Sequence, residues 1–101
     1  MGRRAVDNSE LERWRTVDVT RLFGVLLDYS KQDEGFRPRC GAGTTRWNVS
    51  VGATELELLC TGAKFFDTRA GAGGAGAVDF AMYVLGLPFK DAVRLLRTKG
   101  L

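Results

Sequence analysis

The chain has 101 residues, 45% hydrophobic and 27% charged, and a net charge of +3 from fifteen Lys and Arg against twelve Asp and Glu. That length suits one core, not two. The composition is globular, not disordered, and no apolar run approaches the roughly 20 residues that span a bilayer, so a soluble, cytoplasmic protein with no membrane partner is expected.

Residues 1–8 mix charged and small residues without periodicity and are predicted to form a flexible N-terminal arm, with no signal-peptide core, ahead of a single domain over 9–101. Ser9-Glu10-Leu11-Glu12 can open a short helix. Asp18 is a second candidate cap, before Val19, Leu22, Phe23 and Leu26 at the spacing of one helical face. Asp28 through Gly35 is polar, ends in glycine and is expected to be a turn or loop.

From there the period changes. Trp47, Val49 and Val51 alternate with Arg46, Asn48 and Ser50, and Leu56, Leu58 and Cys60 alternate with Glu55, Glu57 and Leu59. Two strands are predicted, joined through Gly52-Ala53-Thr54 as a hairpin with a longer loop. Phe36–Cys40 and Lys64–Arg69 are expected as flanking strands. The glycine and alanine run of residues 70–77 has too little side chain to pack and is expected to be a loop. Val78, Ala81, Met82 and Leu85 then recur at helical spacing up to Gly86. Pro88 opens a last helix whose apolar face is Phe89, Ala92, Val93 and Leu96. The fold class expected is α+β: a small antiparallel β-sheet flanked by N- and C-terminal helices.

The run Gly76-Ala77-Val78-Asp79-Phe80-Ala81-Met82, then Leu85-Gly86-Leu87-Pro88-Phe89-Lys90-Asp91-Ala92-Val93, resembles the helical end of the zinc-ribbon-like domain of bacterial primases, and Asn48-Val49-Ser50-Val51 resembles a strand of that domain. The likeness covers roughly residues 17–98. Cys60-Thr61-Gly62-Ala63-Lys64-Phe65-Phe66-Asp67, followed by the glycine run and Ala77-Val78-Asp79, is similar to TOPRIM primase-like proteins of plasmids and integrative elements. The resemblance implies a module that engages template DNA while the polymerase chemistry resides in a separate catalytic domain.

The departures concern metal. A structural zinc takes four N or S ligands, and primase zinc ribbons supply them as Cys-x-x-His and Cys-x-x-Cys pairs. Here Cys40 and Cys60 stand where each pair would begin, but Gly43 and Ala63 fall at the companion positions and His is absent from the chain. No metal and no cofactor is therefore expected, with both cysteines read as small buried residues carrying free thiols.

Gly71-Ala72-Gly73-Gly74-Ala75-Gly76 matches Gly-x-Gly-x-x-Gly ahead of a helix. Yet no parallel βαβ unit surrounds it, and Asp79 would repel a phosphate there. A connector is expected. With no His, no nucleophile beside a base and no clustered carboxylates, the chain is not expected to be an enzyme; Glu55 and Glu57 read as solvated surface. The candidate nucleic-acid contacts are Arg37, Arg39, Arg46, Trp47, Lys64, Phe66 and Arg69, a sheet surface on which cations track phosphates and rings stack on unpaired bases. The function expected is non-catalytic binding of single-stranded DNA in replication, priming or transfer of a bacterial mobile genetic element. The alternative is an accessory module docking onto a primase or helicase through Val84, Leu85, Leu87 and Leu101.

Overall fold

The computed structural model describes residues 8–38 and 43–101. Among these, five strands pair in sequence order as an antiparallel meander: β1 Tyr29–Gln32, β2 Thr44–Val51, β3 Thr54–Thr61, β4 Lys64–Asp67 and β5 Ala72–Ala75. Helices α1 Asn8–Arg15, α2 Phe23–Leu26, α3 Gly76–Leu85 and α4 Phe89–Thr98 complete an α+β fold, with a 3-10 turn over Val19–Leu22 leading into α2. Asp18 caps that turn, accepting from the Thr20 amide at 2.9 Å and its hydroxyl at 2.6 Å.

Strand alternation sorts the sheet into two faces. Register aligns Trp47, Leu58, Asp67 and Ala72 in one row and Thr45, Cys60, Phe65 and Gly74 in another, both on the face that meets the helices. There Leu58, Cys60 and Phe65 join Trp14, Val19, Leu22, Phe80 and Leu96 in one buried cluster. A chain of rings crosses this core. Phe23 meets Trp47 edge-on at 5.0 Å and stacks on Phe80 at 5.8 Å, and Phe65 meets Phe80 edge-on at 5.3 Å. Each such geometry adds about 0.5–1.5 kcal/mol beyond area burial. Arg97 of α4 grips Glu10 of α1 with two hydrogen bonds, 2.9 and 2.6 Å, tying the N-terminal helix to the last one.

The connections are tighter than the composition suggested. Register pairs Val51 with Thr54 and Thr61 with Lys64, leaving the two-residue turns Gly52-Ala53 and Gly62-Ala63. Each glycine has φ +58°, and no other residue type has positive φ among the described residues, the pattern of type II′ turns. Thr54, expected in the loop, begins β3.

Four further expectations need correction. The polar segment after Asp28 holds strand β1, because its backbone completes the exposed edge of β2. Phe36–Pro38 forms no strand, while Arg39 and Cys40 lie outside the described residues. The glycine run is not a connector: residues 72–75 are β5, and Gly76 and Ala77 already belong to α3. A Cβ at Gly73 would overlap the Phe65 carbonyl oxygen, so the missing side chain is what lets β5 lie against β4. Of the expected arm, Asn8 is already helical and residues 1–7 are outside the described set.

Candidate nucleic-acid interface

The other face of the sheet carries no helix and displays four rows. Thr44, Thr61, Lys64 and Ala75 form the first; Arg46, Leu59, Phe66 and Gly73 the second; Lys31, Asn48 and Glu57 the third; Tyr29, Ser50 and Glu55 the fourth. Phe66 stands 44% exposed and Tyr29 55%. A shallow concavity of about 470 Å³ surrounds Phe66, lined by Thr44, Leu59, Thr61, Lys64 and Gly73. Its apolar floor is Leu59 and the bare glycine backbone, and the Thr44 and Thr61 hydroxyls, 2.8 Å apart, border it beside the exposed Lys64.

A charged network crosses the middle of this face. Arg46 is hydrogen-bonded to Glu57 and lies 3.8 Å from Asp33, and Glu57 also accepts from the Thr68 hydroxyl at 2.6 Å. The Thr68 and Arg46 hydrogen bonds, opposed by desolvation, hold the Glu57 carboxyl below its ordinary range, while the bond to Glu57 raises Arg46. Arg46 is therefore partly neutralised before any ligand arrives. Lys64 makes no ion pair among the described residues.

The expected contacts thus separate. Lys64, Phe66, Arg46 and Arg69 are on or beside the open face. Trp47 is not: it takes the opposite parity, packs on Phe23 and donates its indole N–H to Thr45 Oγ1 at 2.8 Å, so it cannot stack on a base. Arg37 is exposed, but its guanidinium donates to the carbonyls of Glu34 and Phe36, tying it to its own loop. Arg39 lies outside the described residues. Leu59, Thr44, Thr61 and Tyr29 were not anticipated. The signal was present for Leu59 and Thr61, which share Phe66's face once β3 and β4 are joined by a two-residue turn; Tyr29 needed the pairing of β1.

Beneath the sheet, Asp67 is 3% exposed and fully engaged. It accepts from Tyr83 Oη at 2.6 Å and from the amides of Arg69 and Ala70 at 3.0 and 3.2 Å. Burial opposes its charge, but these bonds prevail and hold its carboxyl below the ordinary value. Asp67 thereby shapes the turn that carries Arg69 to the rim.

Cys60 is buried on the core face, where burial, reinforced by the charge of Asp18, pushes its thiol up to about 12. Among the described residues no group of three or more His, Cys, Asp or Glu converges as a metal site. They do not fit the tetrahedral donor set of a zinc ribbon; Cys40 lies outside them. No described helix is long and apolar enough to cross a membrane. Comparison with protein-family models, curated protein sequences and solved structures finds no match to this chain.

Proposed function

We propose that the chain is a non-catalytic module that binds single-stranded DNA on the open face of its sheet, and that it serves replication, priming or transfer of a bacterial mobile element. The observation that carries this is Phe66: a large ring, 44% exposed, on the helix-free face with a lysine and two hydroxyls around it. A ring in that setting leaves a π-face for an unpaired base, while Lys64 supplies charge for the adjoining phosphate. The primase-like and TOPRIM-like motifs support the cellular context; Lys64, Phe66 and Asp67, which belong to the TOPRIM-like run, supply the cation, the ring and the turn that carries Arg69.

The test is fluorescence anisotropy with a labelled mixed-sequence oligonucleotide at about 50 mM salt, where phosphate contacts are strongest. Single strands should bind more tightly than the same sequence as duplex. Phe66→Ala should lose about 5- to 150-fold in affinity, the equivalent of one base stack, with its circular dichroism unchanged. No binding to single strands at that salt rejects the reading. Docking onto a primase or helicase then becomes the better account. It would use the concavity of about 560 Å³ at Leu85, Leu87 and Leu95 between α3 and α4, since Val84 is buried.

A further inference from the structure

We infer that the open face holds a second base subsite, at the β1 end of the sheet, selective for bases that carry an exocyclic amino group. The inference rests on the single-strand reading above. A second concavity of about 150 Å³ lies there, bordered by Tyr29, Asn48, Ser50, Glu55 and Arg69 and lined also by Val49 and Leu56, which take the other parity. It repeats the composition of the first around a second exposed ring: Tyr29 for Phe66, Arg69 for Lys64, Ser50 and Asn48 for the threonines. The Arg46–Glu57–Thr68 network separates the two.

Register sets their spacing. The Tyr29 row lies four residues along the strands from the Phe66 row, and the two rings are three strands apart. At about 3.3 Å per residue and 4.8 Å per strand the rings are roughly 19 Å apart. An unstacked strand reaches farther per nucleotide than the 3.4 Å of duplex, so fewer than about six nucleotides bridge them.

Glu55 is what distinguishes the subsites. A carboxylate only accepts hydrogen bonds, whereas hydroxyls and amides can both give and take. Cytosine and adenine present an amino donor at the position where thymine presents a carbonyl. A base stacked on Tyr29 with its edge toward Glu55 is therefore favoured when it carries the amino group and opposed when it carries the carbonyl. The Phe66 concavity is bordered by the Thr44 and Thr61 hydroxyls, which both give and take, while the Lys64 ammonium is engaged by the phosphate, so this subsite takes any base. Glu55 thus contributes specificity at the cost of some repulsion toward the backbone, which Arg69 offsets.

Competition between oligodeoxycytidine and oligothymidine of about eight nucleotides tests this, because the two bases are similar in size. The wild type should prefer cytidine by at least about fivefold. Glu55→Gln should bring the two close to parity, chiefly by weakening cytidine. Phe66→Ala should weaken both alike and leave their ratio intact. A wild type without preference, or a ratio unchanged in Glu55→Gln while Phe66→Ala still weakens binding, overturns the second subsite and leaves the single-strand reading standing. Equal tightening of both oligonucleotides by Glu55→Gln, the mark of a lost repulsion alone, overturns it too. A wild type that binds neither overturns both.

Discussion

The two faces of the sheet are made by alternate residues of the same strands, and Phe65 and Phe66 show how differently those residues are used. Phe65 is 4% exposed and meets Phe80 and Tyr83; its neighbour in the chain is 44% exposed above a glycine. Composition does not distinguish them. Parity relative to Leu58 and Cys60 does, because a period of two sends every second side chain to the other face. Polar residues divide in the same way: Asp67 is spent inside on three donors, whereas Glu55 is exposed. The open face leaves Tyr29, Glu55, Lys64 and Phe66 exposed, and these are the groups on which the proposed binding rests.

The two phenylalanines give the largest expected contrast. Phe65→Ala should lower stability by about 3–5 kcal/mol, the usual consequence of emptying a core site. Phe66→Ala should change it by no more than about 0.5 kcal/mol while losing single-strand affinity. Urea denaturation of both variants checks the pair, and equal losses would erase the distinction between the faces.

Asp67 should rank next. Asp67→Ala removes an acceptor for three donors and should destabilise by about 1.5–3 kcal/mol. Because its folded pKa lies below its unfolded value of 3.8, its contribution is present above pH 3.8 and is lost as pH falls from there through the folded value. Asp67→Asn should consequently lose less stability than the wild type between about pH 5 and pH 2, measured by thermal melts across that range. Equal acid sensitivity would remove Asp67 from the account.

Asp79→Ala should cost roughly 1 kcal/mol. Its carboxylate accepts from the Ala75 amide at 3.2 Å at the start of α3. An unchanged thermal midpoint would contradict that capping role.

The smallest effect is a difference in salt dependence. Lys64→Ala should flatten the salt slope of single-strand binding by about one unit, and Arg46→Ala by less, because Glu57 and Asp33 already offset Arg46. Equal flattening would mean that the Arg46–Glu57 bridge opens on binding.

Much of the architecture was legible in the amino-acid order alone. The alternation over 46–51 and 55–60, the cap at Asp18, the helix ended by Gly86 and the final amphipathic helix are local patterns, set by side-chain periodicity and turn chemistry, and all are present. Phe66, Lys64, Arg46 and Arg69 could be nominated from the cations and rings between residues 37 and 69, and they lie on or beside the open face. What local pattern could not decide was which strand lies beside which. β5 consists of glycine and alanine, poor strand formers, and exists because β4 and α3 hold its backbone in a space that a side chain at Gly73 or Gly74 would crowd. β1, Tyr29 followed by three polar residues, reads as a loop until the edge of β2 takes up its backbone hydrogen bonds. Trp47 looked available because it sits beside Arg46, but the helices cover one face of the sheet only, and its parity turns it toward Phe23. Periodicity assigned residues to faces; tertiary packing decided which face was covered, and with it that Phe66 and Tyr29 are left in solvent.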